Sequence, residues 1–294
     1  MSKFAEKIKT GQPVSDEEWN QYLIEAHRLA PSMTPAAFAA YQTDKGQTSY
    51  ELLSKSIEGL RNTPSTVLDL ACGDGHLFPY LLRTLGSTGT VVGVDMSEGE
   101  LSIARKSFEQ DKRIKLQRAS AQSMPLSNNS IDAIVCHMAF MLMLPLDPVL
   151  AEISRVLKGG GMFSAVIGNA RGKGGLFGEI QRITSHFIGN LYPKLQEVRS
   201  GDPRVQSEAG LQELFSSNRG FQQPIEIKDF SLLIKTVPQG VWDLMKDMYF
   251  VSMLPKSEKD QLEIELKDFS ASKKGPDGTV SFEFQMRMFT VRKR

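Results

Sequence analysis

Cysteine is almost missing from this chain: Cys72 and Cys136 are its only two in 294 residues. No disulfide framework can hold it together, which fits a reducing compartment. Charge of one sign is lacking as well. Lysine and arginine total 35 and the acids 34, a formal net charge of +1. That balance argues against a whole surface built to grip nucleic acid or an anionic membrane, and leaves only a local basic patch open. Long hydrophobic runs are also missing. The most apolar stretch, Ile131 to Leu146, is interrupted by Asp132, His137 and Pro145 and falls short of the ~20 apolar residues of a spanning helix. The opening residues Met1-Ser-Lys-Phe-Ala-Glu-Lys7 mix charges without an apolar region, so no signal peptide is expected. No Cys/His spacing suggests zinc. The expectation is a cytoplasmic protein without a membrane span or a metal.

What is present is core-forming material, with 40% hydrophobic and 23% charged residues. Such a chain builds a full core, and its length suggests one large domain or a domain with a cap. Residues 1–62 read as helical. Ser15-Asp-Glu-Glu18 has the form of a capping box ahead of Trp19, Leu23 and Leu29, and a second helix is expected from Ser49 to Leu60. From Thr66 the texture alternates: Thr66–Ala71, Thr90–Asp95, Ile114–Arg118, Ile131–Cys136 and Met162–Ile167 read as strands separated by helices. Ser97-Glu-Gly-Glu100 reads as a capping box, Asp147-Pro148 as an N-cap with proline at the first helical position, and Lys158-Gly-Gly-Gly161 as a helix stop. This is the pattern of parallel βαβ units with right-handed crossovers. Asn169 to Gly175 then reads as a hinge. Helices are expected at about 176–190, 205–217 and 238–268, and strands at Ile225–Ile234 and Val280–Val291.

The chemistry concentrates at Asp69-Leu-Ala-Cys-Gly-Asp-Gly75, between a strand and a helix, where a doubly wound sheet binds ligands. Glycines let backbone approach a ligand closely. Asp95 ends the next strand, where an acid accepts both hydroxyls of a ribose. A dinucleotide fingerprint needs a third glycine where Phe78 stands, and Asp69 would repel a pyrophosphate. A cationic ligand with an amino group suits the turn better. Ordinary strand-end capping is the bland alternative for both acids.

Val67-Leu-Asp-Leu-Ala-Cys-Gly-Asp-Gly75 resembles motif I of the class I S-adenosylmethionine-dependent methyltransferases, with Gly73 and Gly75 matching and Ala71 where the first glycine usually stands. Val92-Gly-Val-Asp-Met-Ser97 is similar to the second motif, Ala119-Ser-Ala-Gln-Ser-Met-Pro-Leu126 to the third, and Asn129–Val135 and Val156–Gly161 to the last two. The resemblance covers residues 64–168. It implies an α/β fold with a doubly wound, seven-stranded, mostly parallel sheet in the order 3-2-1-4-5-7-6, the last strand antiparallel. It also implies S-adenosylmethionine as cofactor, held by Asp69, Ala71, Cys72, Gly73, Gly75, Asp95, Met96, Ser120, Ala121, Gln122 and His137. Asp95 would hold the ribose and Met96 would pack on the adenine. Ser120 replaces the acid that usually contacts the adenine amino group.

Methyl transfer from a sulfonium is an in-line displacement that needs alignment, dryness and sometimes a base. His137, just after the fourth strand, is the first candidate base, against an orienting or packed histidine; His76 is the second. Cys72 and Cys136 read as inert buried thiols. Met138, Phe140, Met141 and Met143 form one apolar cluster, and Trp242, Met245, Met248, Tyr249, Phe250 and Met253 another. Each reads as core, or as the wall of an apolar acceptor pocket if the two meet. Tyr22, Tyr41 and Tyr50 are candidates for closing the site, and no spacing rule selects among them. The expected arrangement is an N-terminal helical cap over residues 1–62 and a methyltransferase domain over 63–294, with insertions at about 173–217 and 238–268 forming a lid. The expected acceptor is a small molecule with an apolar or aromatic part, methylated at oxygen, nitrogen or carbon by a monomer or homodimer. RNA or protein methylation, and cofactor binding without turnover, are the alternatives.

Overall fold

The computed structural model describes residues 3–169, 174–216 and 219–294. Most of the expected hinge, including the start of the Arg171–Gly175 turn, lies outside the described residues. Seven strands form one sheet: β1 (Thr66–Leu70), β2 (Thr90–Asp95), β3 (Ile114–Arg118), β4 (Ile131–His137), β5 (Leu157–Gly168), β6 (Glu226–Thr236) and β7 (Val280–Arg292). Their order is β3-β2-β1-β4-β5-β7-β6. The first five pair in parallel, and β7 runs antiparallel to β5 with Met162 opposite Arg292 and Gly168 opposite Met286. The expected order and the antiparallel last strand are both present.

The chain divides into two compact units. The first gathers Met1–Gly46, Ala170–Ser200 and Ser231–Gln285; the second gathers Gln47–Asn169, Gly201–Phe230 and Met286–Arg294. The units cut the chain at other places than the boundaries read from the sequence. Residues 47–62, expected with the N-terminal cap, cluster with the sheet, because α4 (Ser49–Lys55) packs on β4 and on α5 (Phe78–Leu85).

In the second unit the sheet is covered on both faces, as near-continuous apolar strands require. Leu68, Leu70, Val92 and Val94 share a core with Val149, Leu150 and Ile153 of α7 (Leu146–Val156) and with Leu211 and Leu214 of α9 (Glu208–Leu214). On the other face Gly93 lies so close to α5 that an added Cβ would sit 2.6 Å from Phe78 and 2.8 Å from Cys72 Sγ. Phe140 packs against Phe163, Phe215 and Phe289 with ring centroids 5.3, 5.9 and 5.5 Å away. Phe140 and Met143, from the first apolar cluster, are therefore core residues of this unit.

The first unit has an aromatic centre. Phe4 of α1 (Lys3–Thr10) stacks on Tyr22 of α2 (Asp16–Leu29) at 4.1 Å, and Trp19 faces Tyr249 and Phe250 at 6.1 and 5.9 Å. The Tyr22 hydroxyl donates to the Tyr249 carbonyl, and burial pushes its pKa up to about 12. Of the second apolar cluster, Trp242, Met245 and Met253 are buried, and Tyr249 and Phe250 are half-buried against Trp19. The Ser15 capping box forms in full, with Ser15 and Glu18 each accepting from the other's backbone N–H.

Local expectations fail in three places, the first two for a long-range reason. Helix α7 starts at Leu146, one residue before the expected cap, and no side chain caps it. Asp147 is drawn instead to Arg219 at 2.8 Å and Arg204 at 3.3 Å. The glycines after Lys158 do not form a separate stop, because β5 begins at Leu157 directly after the helix. Gly160 and Gly161 exchange backbone hydrogen bonds with Lys293, so the C-terminal strand draws them into the sheet. Helix α4 ends at Lys55 and continues only as a 3-10 turn over Glu58–Leu60, with the Ser56 hydroxyl bonded back to the Leu53 carbonyl at 2.7 Å.

Candidate active site

Parallel pairing brings the C-terminal ends of β1, β2, β3 and β4 side by side: Asp69 lies opposite Gly93 and Val135, and Asp95 opposite Arg118. The glycine turn after β1 is held in a conformation that few side chains tolerate. Ala71, Gly73 and Gly75 have φ of +59°, +54° and +82°. The family's first glycine is replaced here by an alanine that accepts left-handed backbone, at a cost of roughly 1–2 kcal/mol. The two glycines differ in purpose. A Cβ on Gly75 would strike Phe78 at 2.6 Å and Phe108 at 2.9 Å, so packing demands its bareness. At Gly73 the nearest atom would be Glu100 Oε2 at 3.9 Å, so its bareness keeps space open above the turn. Met138, after β4, also has positive φ, at +55°.

Four carboxylates collect around this turn. Asp95 accepts from the backbone N–H of Gly73 at 2.9 Å and of Ser97 at 2.8 Å, tying the first two strand ends together. Glu100 is buried one turn into α6 (Glu98–Phe108), where Ser97 caps the helix through the Glu100 N–H. Asp69 is 2% exposed. Burial first, and then the charges of Asp95 and Asp74, raise its pKa well above the carboxylate range. One of its oxygens, Oδ2, has no hydrogen-bond partner among the described residues. Burial, together with Asp69, Asp95 and Glu100, likewise pushes the Cys72 thiol up, and burial and Asp69 do the same to Cys136. Both are protonated, inert thiols, since reactivity belongs to the thiolate.

The third strand end is more open. Ser120 is exposed, and its hydroxyl accepts from the Gln122 N–H at 3.2 Å. Gln122 reaches across to the Leu144 carbonyl at 2.6 Å, fastening this loop to the one after β4. Met96 and Ala121 are half-buried beside it.

His137 is packed at the end of β4. Its Nε2 lies 2.9 Å from the Ser49 hydroxyl, its ring stacks on Tyr50 at 3.9 Å, and it is 8% exposed. Burial, with a smaller effect from His76, lowers its pKa to about 3. It is neutral at physiological pH, but an imidazole this reluctant to charge takes a proton poorly. His76 lies nearby, its ring 4.6 Å from Tyr50, and its Nε2 is buried without a partner. Ser49 and Tyr50 are the residues here that local spacing did not single out for contact with His137. A cavity of about 530 Å³ lies between α4, α5 and α6, lined by Glu51, Asp74, His76, Tyr80, Arg83 and Phe108 among others.

Comparison with known proteins agrees with this geometry. Residues 67–161 match the family described as a methyltransferase domain. A demethylmenaquinone methyltransferase of Symbiobacterium thermophilum is 30% identical over 158 residues, covering 52% of this chain and 61% of the relative. Matches to curated relatives span 39–61% of those proteins' own lengths. Among solved structures, the YcgJ protein of Bacillus subtilis superposes with a TM-score of 0.57 at 19% identity, covering 84% of this chain and 98% of that one. The [4+2]-cyclase SpnF superposes with a TM-score of 0.57 at 16% identity, covering 96% and 97%. The fold and the motif-bearing strand ends define a class I methyltransferase architecture. The matched segment, residues 67–161, is similar to methyltransferase domains. The cyclase among the neighbours shows that the fold alone does not set the reaction.

Among the described residues no helix is long and apolar enough to cross a membrane.

Proposed function

We propose that this protein transfers a methyl group from S-adenosylmethionine to a small-molecule acceptor. The observation that carries this reading is the buried, incompletely partnered Asp69 among three further carboxylates at the glycine turn. Such a site disfavours a pyrophosphate and gains from a ligand that brings positive charge, as an amino-bearing sulfonium does. When bound, the cofactor supplies an electrophilic methyl group for in-line displacement. Asp69 takes its ammonium end, Asp95 accepts the ribose hydroxyls, and Met96 packs on the adenine. Ala121 and Gln122 line the same edge, with the Ser120 hydroxyl standing in place of an acid. Gly73 leaves the space the ligand needs.

We assign His137 to holding the pocket wall through Ser49 and Tyr50 rather than to proton transfer. An acceptor whose own acidity suffices, such as a phenol or an activated carbon, fits a site without a strong base. An aromatic, quinone-like acceptor is the class that the curated relatives' name suggests.

Calorimetric titration with S-adenosylmethionine tests the cofactor assignment; no heat and no thermal shift would sink it. Asp95→Ala is expected to weaken binding on the order of 100-fold, because two hydrogen bonds to a charged acceptor are lost. An unchanged dissociation constant would remove Asp95 from the site. For His137 the expected outcome is a kcat profile with no inflection of its own between pH 5 and 8, since its pKa is about 3. A limb near pH 6.5 that disappears in His137→Gln would restore it as the base.

A further inference from the structure

Residues 119–130 join β3 to β4 and form no regular helix or strand, yet their path is closely fixed. The Ala119 N–H donates to the Asp95 carbonyl at 3.0 Å, and the Gln122 side chain reaches the Leu144 carbonyl at 2.6 Å. The remainder is held by two side chains from one turn of α7. Glu152 Oε2 accepts from the Met124 N–H at 2.7 Å. Arg155 donates from Nη2 to the Met124 carbonyl at 2.9 Å. From Nη1 it donates to the Leu126 carbonyl at 2.6 Å and to Asn128 Oδ1 at 2.9 Å.

Spacing alone makes Glu152 and Arg155 an ordinary pair three residues apart on a helix surface, a contact of small value in water. Their geometry is directed elsewhere. A guanidinium carries five N–H donors in a planar fork. Two go to Glu152, at 2.6 and 2.8 Å, and the other three leave the pair for the loop. Met124 is gripped at both its N–H and its carbonyl, and its side chain is buried in the hydrophobic core. Between the two pinned residues Ala119 and Met124 lie only Ser120, Ala121, Gln122 and Ser123. The path of those four therefore follows from where α7 holds Met124.

We propose that Glu152 and Arg155 are positioning residues for base selection, acting on Ser120, Ala121 and Gln122 through the backbone of Met124 and Leu126. This role rests on the methyl-transfer reading, which puts the adenine at that edge, and adds what makes the edge selective. With Ser120 in place of an acid, recognition falls to short polar groups of the loop itself. Such groups discriminate only when held in place, because hydrogen bonds weaken steeply as they bend. Adenine offers an amino donor beside a ring acceptor, and an oxo-purine offers a carbonyl acceptor beside an N–H donor. A fixed loop matches one pattern, whereas a loosened loop rearranges to accept either, and selectivity is the difference between the two affinities.

The test is calorimetric titration with S-adenosylhomocysteine and with S-inosylhomocysteine, in which a carbonyl replaces the adenine amino group. Wild type is expected to prefer the adenine ligand about tenfold, the worth of one well-directed hydrogen bond. In Arg155→Ala the adenine ligand weakens and the preference falls to about twofold or less. Two milder variants should fall between, and they carry the test if the alanine variant does not fold. Arg155→Lys offers three donors at one point instead of a fork, and Glu152→Gln still accepts from Met124 without the negative charge beside Arg155. Asp147→Ala is the control, since it removes the α7 carboxylate that binds Arg204 and Arg219. Its preference should stay within about twofold of wild type, because a general loss of stability weakens both ligands alike. An unchanged preference in the Arg155 and Glu152 variants, an equal fall in Asp147→Ala, or no preference in wild type would overturn the role while leaving methyl transfer standing. Failure of wild type to bind either ligand would overturn the methyl-transfer reading itself.

Discussion

Asp69→Asn is expected to stabilise the protein without ligand at neutral pH and to weaken S-adenosylmethionine binding by about 10- to 100-fold. Asp69 is a buried carboxylate whose pKa is raised first by burial and then by Asp95 and Asp74. A carboxylate with a folded pKa above its unfolded value of about 3.9 stabilises fully below that value. The contribution is lost as pH rises through the folded pKa, because the unfolded chain releases the proton more readily. The wild type therefore loses stability relative to the asparagine variant between about pH 4 and neutrality. At neutral pH the variant's advantage is on the order of 1–2 kcal/mol, the usual scale for relieving an unsatisfied buried group. Urea denaturation at pH 5 and pH 7.5 reads this directly, and the gap should widen at the higher pH. The binding loss follows from removing the charge partner of the ligand's ammonium group, about 1.5–3 kcal/mol. The same linkage makes wild-type affinity climb with pH, since the cation needs Asp69 ionised. A variant less stable at both pH values, or one that binds with unchanged affinity, would contradict this account of the site.

Arg287→Ala is expected to cost about 3 kcal/mol of stability, the low end of the range for breaking a buried ion pair. The Arg287 side chain is 1% exposed, although it sits in a strand. Its guanidinium meets Asp229 through two bonds of 2.6 and 2.7 Å and Glu208 at 3.1 Å. Both acids are partly exposed, so they rehydrate when the arginine goes, which keeps the cost from reaching the upper range. For a chain of this size that loss lowers the melting temperature by roughly 6–12 °C. Arg287→Lys, which keeps the charge but not the planar fork, should recover only part of it. A change below about 1 kcal/mol on denaturation would show that the cluster adds little.

Arg287 also shows where pattern reading ends. Along β7 the buried residues are even-numbered from Val280 to Met286, and odd-numbered from Arg287 through Phe289 to Val291. Side chains alternate along a strand, so the change of phase means that the other face is the buried one from Arg287 on. The change falls where the strand passes from the first compact unit to the second. Local alternation does not reveal it, because which face is buried depends on what covers the strand.

The site shows the same division. Asp69, Gly73, Gly75 and Asp95 were legible because strand ends, left-handed turns and helix caps act over a few residues. The sheet order followed from motifs in register. Asp147 was misread as a cap because its real partners, Arg204 and Arg219, arrive from far along the chain. His137, expected just after the fourth strand, is the last residue of β4, and its basicity was not readable from that place.

By itself the sequence determined the βαβ alternation, the glycine turn, the two strand-end acids and the family they resemble. Tertiary structure alone decided which polar groups are buried without partners, which tyrosine stands beside the histidines, and that His137 is held neutral. Spacing encodes backbone geometry locally, whereas burial and the charges around a group are properties of segments that meet only in the folded chain.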